Sequence, residues 1–229
     1  MSDDSPVSSP RVGAVLLGAG RASRMGGPNK LLLSVDGEPM IARAARALAR
    51  FAPDDWVVVL GRDADEVEAA VAQALAGSGA EAARRQPPLP PPPPRWCRVA
   101  AGLEQPASVV AGLHALSPAL DAVLIMLGDQ PLLDDEDLRW LLAQWRRLPP
   151  GSALVPCRGA QRGNPVVFDA ALRDAMLAAA SVRGFLDAQP QRVHRVEAPN
   201  DHFVFDVDTP ADLQRLAGLG YRVRGGPGG

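Results

Sequence analysis

Two groups of residues in this chain suit phosphate chemistry: a glycine-rich loop that carries cations, and aspartates that close apolar runs. The loop is Leu17-Gly18-Ala19-Gly20-Arg21-Ala22-Ser23-Arg24-Met25-Gly26-Gly27-Pro28-Asn29-Lys30, directly after an apolar run. A glycine-rich turn lets backbone N–H groups close around phosphate oxygens, and Arg24 and Lys30 add positive charge to the same loop. Two familiar templates fail. A P-loop needs Ser or Thr after its lysine, but Lys30 is followed by Leu31. The dinucleotide fingerprint needs glycine where Ser23 stands and has no use for Arg24 and Lys30.

The carboxylates complete the chemistry. Gly128-Asp129-Gln130-Pro131 closes the most continuous apolar run, so Asp129 can reach over a sheet edge. In Phe205-Asp206-Val207-Asp208-Thr209-Pro210, period-two alternation puts Asp206 and Asp208 on one face of an extended segment. Asp206, between Phe205 and Val207, should be partly buried, and a buried carboxylate is costly without a cation. Mg²⁺ takes one or two carboxylates plus phosphate oxygens and water. Asp129, Asp206 and Asp208 are therefore the candidate metal ligands. The histidines read as structural: among His114, His194 and His202 no two stand at metal-ligand spacing, and His202 is the nearest to Asp206.

Strands alternating with helices must position these groups. Apolar runs predict strands at 12–17, 56–60, 99–102, 122–127, 153–156, 165–168, 192–197 and 203–207. Helical spacing predicts helices at 39–51, 64–76, 106–116 and 134–147. A last helix opens at Thr209-Pro210-Ala211-Asp212, a capping box with proline in its first turn. Residues 86–95 are almost all proline and read as an exposed spacer within the domain. The pattern predicts a three-layer α/β fold, a mostly parallel twisted sheet with helices on both faces. Such sheets bind ligands beyond the carboxyl ends of their strands. The expected organisation is one domain over 11–221 between disordered tails at 1–10 and 222–229.

Composition excludes other classes. The chain has 229 residues, a net charge of −2 and an apolar share of 47%. That is ordinary for a globular protein and gives no broad nucleic-acid footprint. Cys97 and Cys157 cannot build a disulfide framework or a CxxC metal site. No run reaches the roughly 18 apolar residues of a membrane span. The polar, acidic start lacks the pattern of a signal peptide, and a cytoplasmic location is expected.

Leu17, Gly20, Arg24, Met25, Gly26 and Lys30 match Leu-x-x-Gly-x-x-x-Arg-Met-Gly…Lys, the signature of nucleotidyltransferases with a glycosyltransferase-A-like fold. From about Val12 to Leu216 the chain resembles the molybdenum cofactor cytidylyltransferases, within the MobA-like NTP transferase group. Asn29-Lys30-Leu31-Leu32-Leu33, Gly128-Asp129-Gln130-Pro131 and Gly163-Asn164-Pro165 carry that branch. Gly102-Leu103-Glu104-Gln105-Pro106-Ala107-Ser108-Val109-Val110-Ala111-Gly112-Leu113 resembles the nucleotide-contacting segment. Gln105 stands where methylerythritol cytidylyltransferases have arginine, which counts against that branch. Cytidylyl members resemble Ala-Ala-Gly where this chain has Gly18-Ala19-Gly20; Ala19 fits a smaller base and Gly18 departs from the pattern. In 180–186 only Arg183 and Gly184 match the family's stretch before an arginine.

The resemblance implies Mg²⁺-dependent transfer of CMP from CTP to the molybdenum cofactor, with release of pyrophosphate. It implies Arg24, Lys30 and Asp129 as catalytic residues. Nucleotide-binding residues would be Leu17, Gly18, Ala19, Gly20, Arg21, Ser23, Arg24, Lys30, Gly61, Ser108 and Gly112. Gln130, Gly163, Asn164, Pro165 and Arg183 would face the acceptor. CTP and the molybdenum cofactor are the implied partners, with no nucleic acid and no membrane; the proline spacer leaves room for transient contact with a molybdoenzyme or its chaperone. Alternatives are another small phosphorylated acceptor, such as a sugar or alcohol phosphate, and a non-catalytic cofactor-binding maturation factor. Ser23 argues against a third, a dinucleotide-dependent oxidoreductase.

Overall fold

Val12–Gly18 (β1) is buried along its whole length, which requires covered faces on both sides. In the computed structural model it pairs in parallel with Asp55–Leu60 (β4) on one edge and Ala122–Leu127 (β6) on the other. The structure describes residues 9–19, 29–82, 92–101, 105–179 and 181–224, with the backbone alone at 78–82. Arg95–Arg98 (β5) extends the sheet beyond β4 in parallel. On the other side, Val166–Asp169 (β9) runs antiparallel to β6, and Ala153–Arg158 (β7) antiparallel to β9. Val193–Glu197 (β10) runs parallel to β7, which also makes a short hairpin with Gln161–Arg162 (β8). The order is β10-β7-β9-β6-β1-β4-β5, a mixed, mostly parallel sheet. This is the expected α/β fold.

Period-two alternation along β1 divides the core. Ala14 and Leu16 face a cluster with helices Met40–Phe51 (α1), Ala64–Ala82 (α2) and Asp135–Trp145 (α4). Val15 and Leu17 face the other side, with helix Gln105–Ala115 (α3) and the short helices Arg173–Ala178 (α5) and Val182–Ala188 (α6). Gly112 of α3 sits so close that a Cβ there would lie 2.4 Å from Val15 Cγ1. Among the described residues, no helix is long and apolar enough to cross a membrane.

A second, three-stranded sheet was not anticipated. Ser34–Val35 (β2) pairs with Glu38–Pro39 (β3) and with Val223–Arg224 (β11). Asp36 and Gly37 turn between β2 and β3 with φ of 52° and 87°, the positive angles that Asp-Gly hairpins supply. The sheet shares a small core of Leu33, Val35, Met40, Leu132, Phe205, Val207 and Leu216. Residues 222–224, read as the start of a tail, therefore belong to the folded structure.

Several other boundaries differ from expectation. The strand predicted at 99–102 lies at Arg95–Arg98, starting at the last residue of the proline-rich stretch. The indole N–H of Trp56 donates to the Pro92 carbonyl (2.8 Å), and Arg95 pairs with Asp55, so this segment lies along β4. Helix α2 runs past the expected 76, to Ala82. Asp134 is the N-cap of α4 and shares a capping box with Asp137. The predicted strand 203–207 is a 3₁₀ turn, Asp201–Val204, followed by irregular chain. Its polar groups go elsewhere than a ladder: the Asn200 side chain caps His202, and the Phe203 carbonyl accepts from Gln130 Nε2 and from the Asn164 backbone. The final helix, Pro210–Gly218 (α7), opens with the expected Thr209/Asp212 box and proline in the first turn.

Candidate active site

The site forms where β1 and β6 end side by side. Leu17 is in register with Leu127, and the Gly128 N–H donates to the Leu17 carbonyl (3.1 Å). Both chains therefore leave the same sheet edge, β1 toward the glycine-rich loop and β6 into Asp129. Gly128 has no room for a side chain: a Cβ would lie 2.4 Å from Ile41 Cδ1. A third segment closes the edge, since the Val207 N–H donates to the Asp129 carbonyl (3.1 Å). Phe205 and Val207 are buried in the small core, and Asp206 and Asp208 point the other way, half-buried. The alternation read from the sequence holds although no strand forms.

Lys30 enters from a 3₁₀ turn, Lys30–Leu32. The Asn29 side chain accepts from Leu31 N–H (3.1 Å) and donates to the Arg62 carbonyl (3.3 Å), which fixes the turn. The Lys30 ammonium lies 2.6 Å from Asp129 Oδ2 and 2.5 Å from Asp208 Oδ1, with its side chain only 6% exposed. Burial alone would lower its pKa; the attraction and hydrogen bonds of Asp129 and Asp208 outweigh that and hold it above the usual lysine value. Asp206 is pushed up, first by burial and then by repulsion from Asp129 and Asp208. Two carboxylates thus share one ammonium, and Asp206 stands within the field of all three charges.

The other oxygen of Asp129, Oδ1, is buried and has no hydrogen-bond partner among the described residues. A carboxylate oxygen in that state is expensive unless a cation or water meets it. An oxygen-only donor set with excess negative charge and one orphaned oxygen fits a hard divalent cation. Asp129 with Asp206, and Asp208 beside them, are the residues that would hold it.

The acceptor-side expectations fare differently. Gln130 is 1% exposed; its amide N–H is spent on the Phe203 carbonyl (3.1 Å), and its Oε1 has no partner among the described residues. Gly163 lets two backbones approach, since a Cβ there would lie 2.4 Å from the Phe203 carbonyl oxygen. Asn164 donates its backbone N–H to the same carbonyl (2.8 Å). Gln130, Gly163 and Asn164, with buried Pro165, thus brace the turn that leads to Asp206. Arg183 is exposed on α6.

Among the nucleotide-side residues, Leu17, Gly18 and Ala19 close β1. Gly61 follows β4, where a Cβ would lie 2.9 Å from that of Ala19. Ser108 is 1% exposed within α3, and Gly112 serves helix-on-sheet contact. Gly20, Arg21, Ser23 and Arg24, with the rest of the loop to Pro28, lie outside the described residues, as do 102–104.

Sequence reasoning missed one polar cluster. Asp134, Asp137 and His202 present ligand atoms within 4.8 Å of one another. Asp137 is buried and accepts from Asn200 (2.8 Å), while His202 Nδ1 lies 2.8 Å from its other oxygen. The sequence offers His202 no second histidine at ligand spacing, and its partner Asp137 lies 65 residues away. By the same 4.8 Å spacing, Asp129, Asp206 and Asp208 form no group among the described residues; Lys30 stands between two of them.

The family model described as MobA-like NTP transferase domain matches residues 14–196. The chain is 34% identical over 143 residues to the bifunctional protein GlmU of Rhizobium leguminosarum, covering 62% of this chain and 27% of that protein. The chain thus spans about a quarter of that relative's length. It is 30% identical over 218 residues to nicotine blue oxidoreductase of Paenarthrobacter nicotinovorans, covering 90% of this chain and 97% of that one. In fold it is similar to a nucleotidyl transferase from Methanothermobacter thermautotroptrophicus, with TM-score 0.71 and 23% identity over 91% of this chain and 97% of that one.

Proposed function

We propose that this chain, which belongs to the MobA-like NTP transferase family, is a nucleotidyltransferase that moves CMP from CTP to a phosphorylated acceptor, the molybdenum cofactor. The observation that carries the reading is the ion-paired group of Lys30, Asp129 and Asp208 at the carboxyl ends of the central strands, with Asp129 Oδ1 left over. A group of this composition answers to a cation and a polyphosphate together, and an α/β sheet offers its ligands that edge.

A phosphate oxygen of the acceptor attacks the α-phosphorus of CTP. The bond from that phosphorus to the bridging oxygen breaks, and pyrophosphate leaves with the electron pair. Such transfer needs positioning and charge neutralisation more than covalent help. A divalent cation, Mg²⁺ in this reading, supplies Lewis-acid charge neutralisation when bound to Asp129 and Asp206. Arg24 and Lys30 neutralise the departing pyrophosphate, with N–H groups of loop residues 18–23 beside them. Ala19, packed against Gly61, narrows the base side and favours a pyrimidine. Gln130, Gly163 and Asn164 shape the acceptor side through the turn they brace.

A second reading has support of its own. A relative that aligns over 90% of the chain is named an oxidoreductase, so a hydride-transferring or cofactor-binding protein on the same fold is the competing class.

One assay separates them: pyrophosphate release with Mg²⁺ and each of CTP, GTP, ATP and UTP, with and without molybdenum cofactor. Release with CTP that requires the cofactor is the expected result. Binding of CTP without release in its presence would move the acceptor elsewhere. Tight NADH binding with no affinity for any triphosphate would favour the oxidoreductase reading.

A further inference from the structure

Of the 24 lysine and arginine residues in the sequence, one is lysine, Lys30, and the other 23 are arginines. That single lysine is also the cation buried between Asp129 and Asp208. The two side chains differ in kind: guanidinium is a rigid fork that locks onto a carboxylate, and ammonium is a compact charge with three donors that can be re-aimed. The Lys30 nitrogen touches one oxygen from each of two segments, the chain after β6 and the chain before α7. Contact with oxygens of separate carboxylates is also what a small divalent cation makes. Lys30 is assigned to the polyphosphate under the proposed function, yet here its ammonium is engaged by the carboxylates. One nitrogen serves both roles only in succession.

We propose that Lys30 is an exchangeable resident cation, which holds Asp129 and Asp208 together until a divalent cation displaces it and frees its ammonium for the polyphosphate. The inference rests on the reading that Asp129 and Asp206 hold the metal. Its physical content is competition. The ammonium and the divalent ion share the Asp129 carboxylate and draw on the negative charge of Asp208 beside it, so each weakens the other's hold by an equal factor. Divalent ions alone should therefore bind weakly, and Lys30 should leave its ion pairs as they bind. The orphaned Asp129 Oδ1 gives the incoming ion a first foothold that does not require Lys30 to move.

A single lysine makes the test clean. Protein grown with ¹³C,¹⁵N-lysine carries one lysine side-chain signal, that of Lys30. Titration with Mg²⁺ without nucleotide should move this signal from a protected, ion-paired position to a solvent-exchanging one. Lys30→Met should bind Mn²⁺, read by electron paramagnetic resonance, about tenfold tighter than the unsubstituted chain. If Mn²⁺ binds and is lost in Asp129→Asn, yet the Lys30 signal stays put and Lys30→Met binds no tighter, exchange is wrong and the metal site stands. If Mn²⁺ binding survives both Asp129→Asn and Asp206→Asn, the metal reading itself fails, and this inference with it. Should Lys30→Met not fold, the labelled titration decides alone.

Discussion

Asp129 carries two different demands. Its Oδ2 is answered by Lys30 and its Oδ1 by nothing within the described residues. Asp129→Asn should therefore weaken the dependence of turnover on Mg²⁺, shifting the half-saturating concentration upward by about tenfold or more; Asp206→Asn should do the same. An unchanged Mg²⁺ titration would remove the residue from the metal site. His202 invites a pH experiment at the same scale. Its hydrogen bond to Asp137 raises its pKa above the usual 6.5 against the opposing effect of burial. The folded chain thus favours protonated His202, and the associated stability is full below pH 6.5 and is lost as pH rises through the raised value. Asp137 is held low by His202 and Asn200 despite burial, so its contribution is present above 3.8 and is lost as pH falls below that. Denaturation midpoints of the unsubstituted chain and His202→Gln should differ most near pH 5 to 6 and converge by about pH 9.

At the scale of elements, Gly112 and the helix caps govern packing. Gly112 was expected at the nucleotide, yet its missing side chain lets α3 lie against Val15 and Val59. Gly112→Val should overpack that contact and cost about 1–3 kcal/mol in chemical denaturation; a variant of unchanged stability would mean α3 can move aside. The capping boxes were legible in one case and blurred in the other. Thr209 and Asp212 were read correctly because Thr-Pro-x-Asp is a complete local signal. The start of α4 was placed one residue early because Asp134, Asp135 and Asp137 all suit a helix N-terminus, and only hydrogen bonding singles out Asp134 as the cap. Thr209→Ala should lower stability by about 1 kcal/mol, and because Asp208 borders this cap its N–H bond to Asp212 should loosen as well.

At the scale of the whole molecule, the small sheet ties the segment after α7 to the segment that follows Lys30. Val223 pairs with Val35, and the same core holds Phe205 and Val207 on either side of Asp206. Deleting 222–229 should therefore lower thermal stability and weaken Mg²⁺ binding together, although no deleted residue belongs to the candidate site. Loss of neither would make β11 dispensable and leave Asp206 positioned by Asp129 and the Phe203 turn alone.

The sequence by itself determined the α/β class and the central strands, and it singled out Lys30 and the aspartates that meet it as candidates. Those properties rest on local signals: buried runs, helical spacing and charged residues just past strand ends. Asp206 and Asp208 share a face in the folded chain because a two-residue period survives in irregular backbone when alternate side chains are buried. Tertiary structure decided the rest, because it depends on partners far apart in the chain. The strand expected at 203–207 became a turn once Gln130 and Asn164 claimed the Phe203 carbonyl. The strand expected at 99–102 moved to Arg95–Arg98, where β4 offered an edge. Val223 and Arg224 became a strand because β2 had an unpaired side. Lys30 met Asp129 and Asp208 across 99 and 178 residues of sequence, an encounter that no local spacing encodes and that only the convergence of three segments at one sheet edge creates.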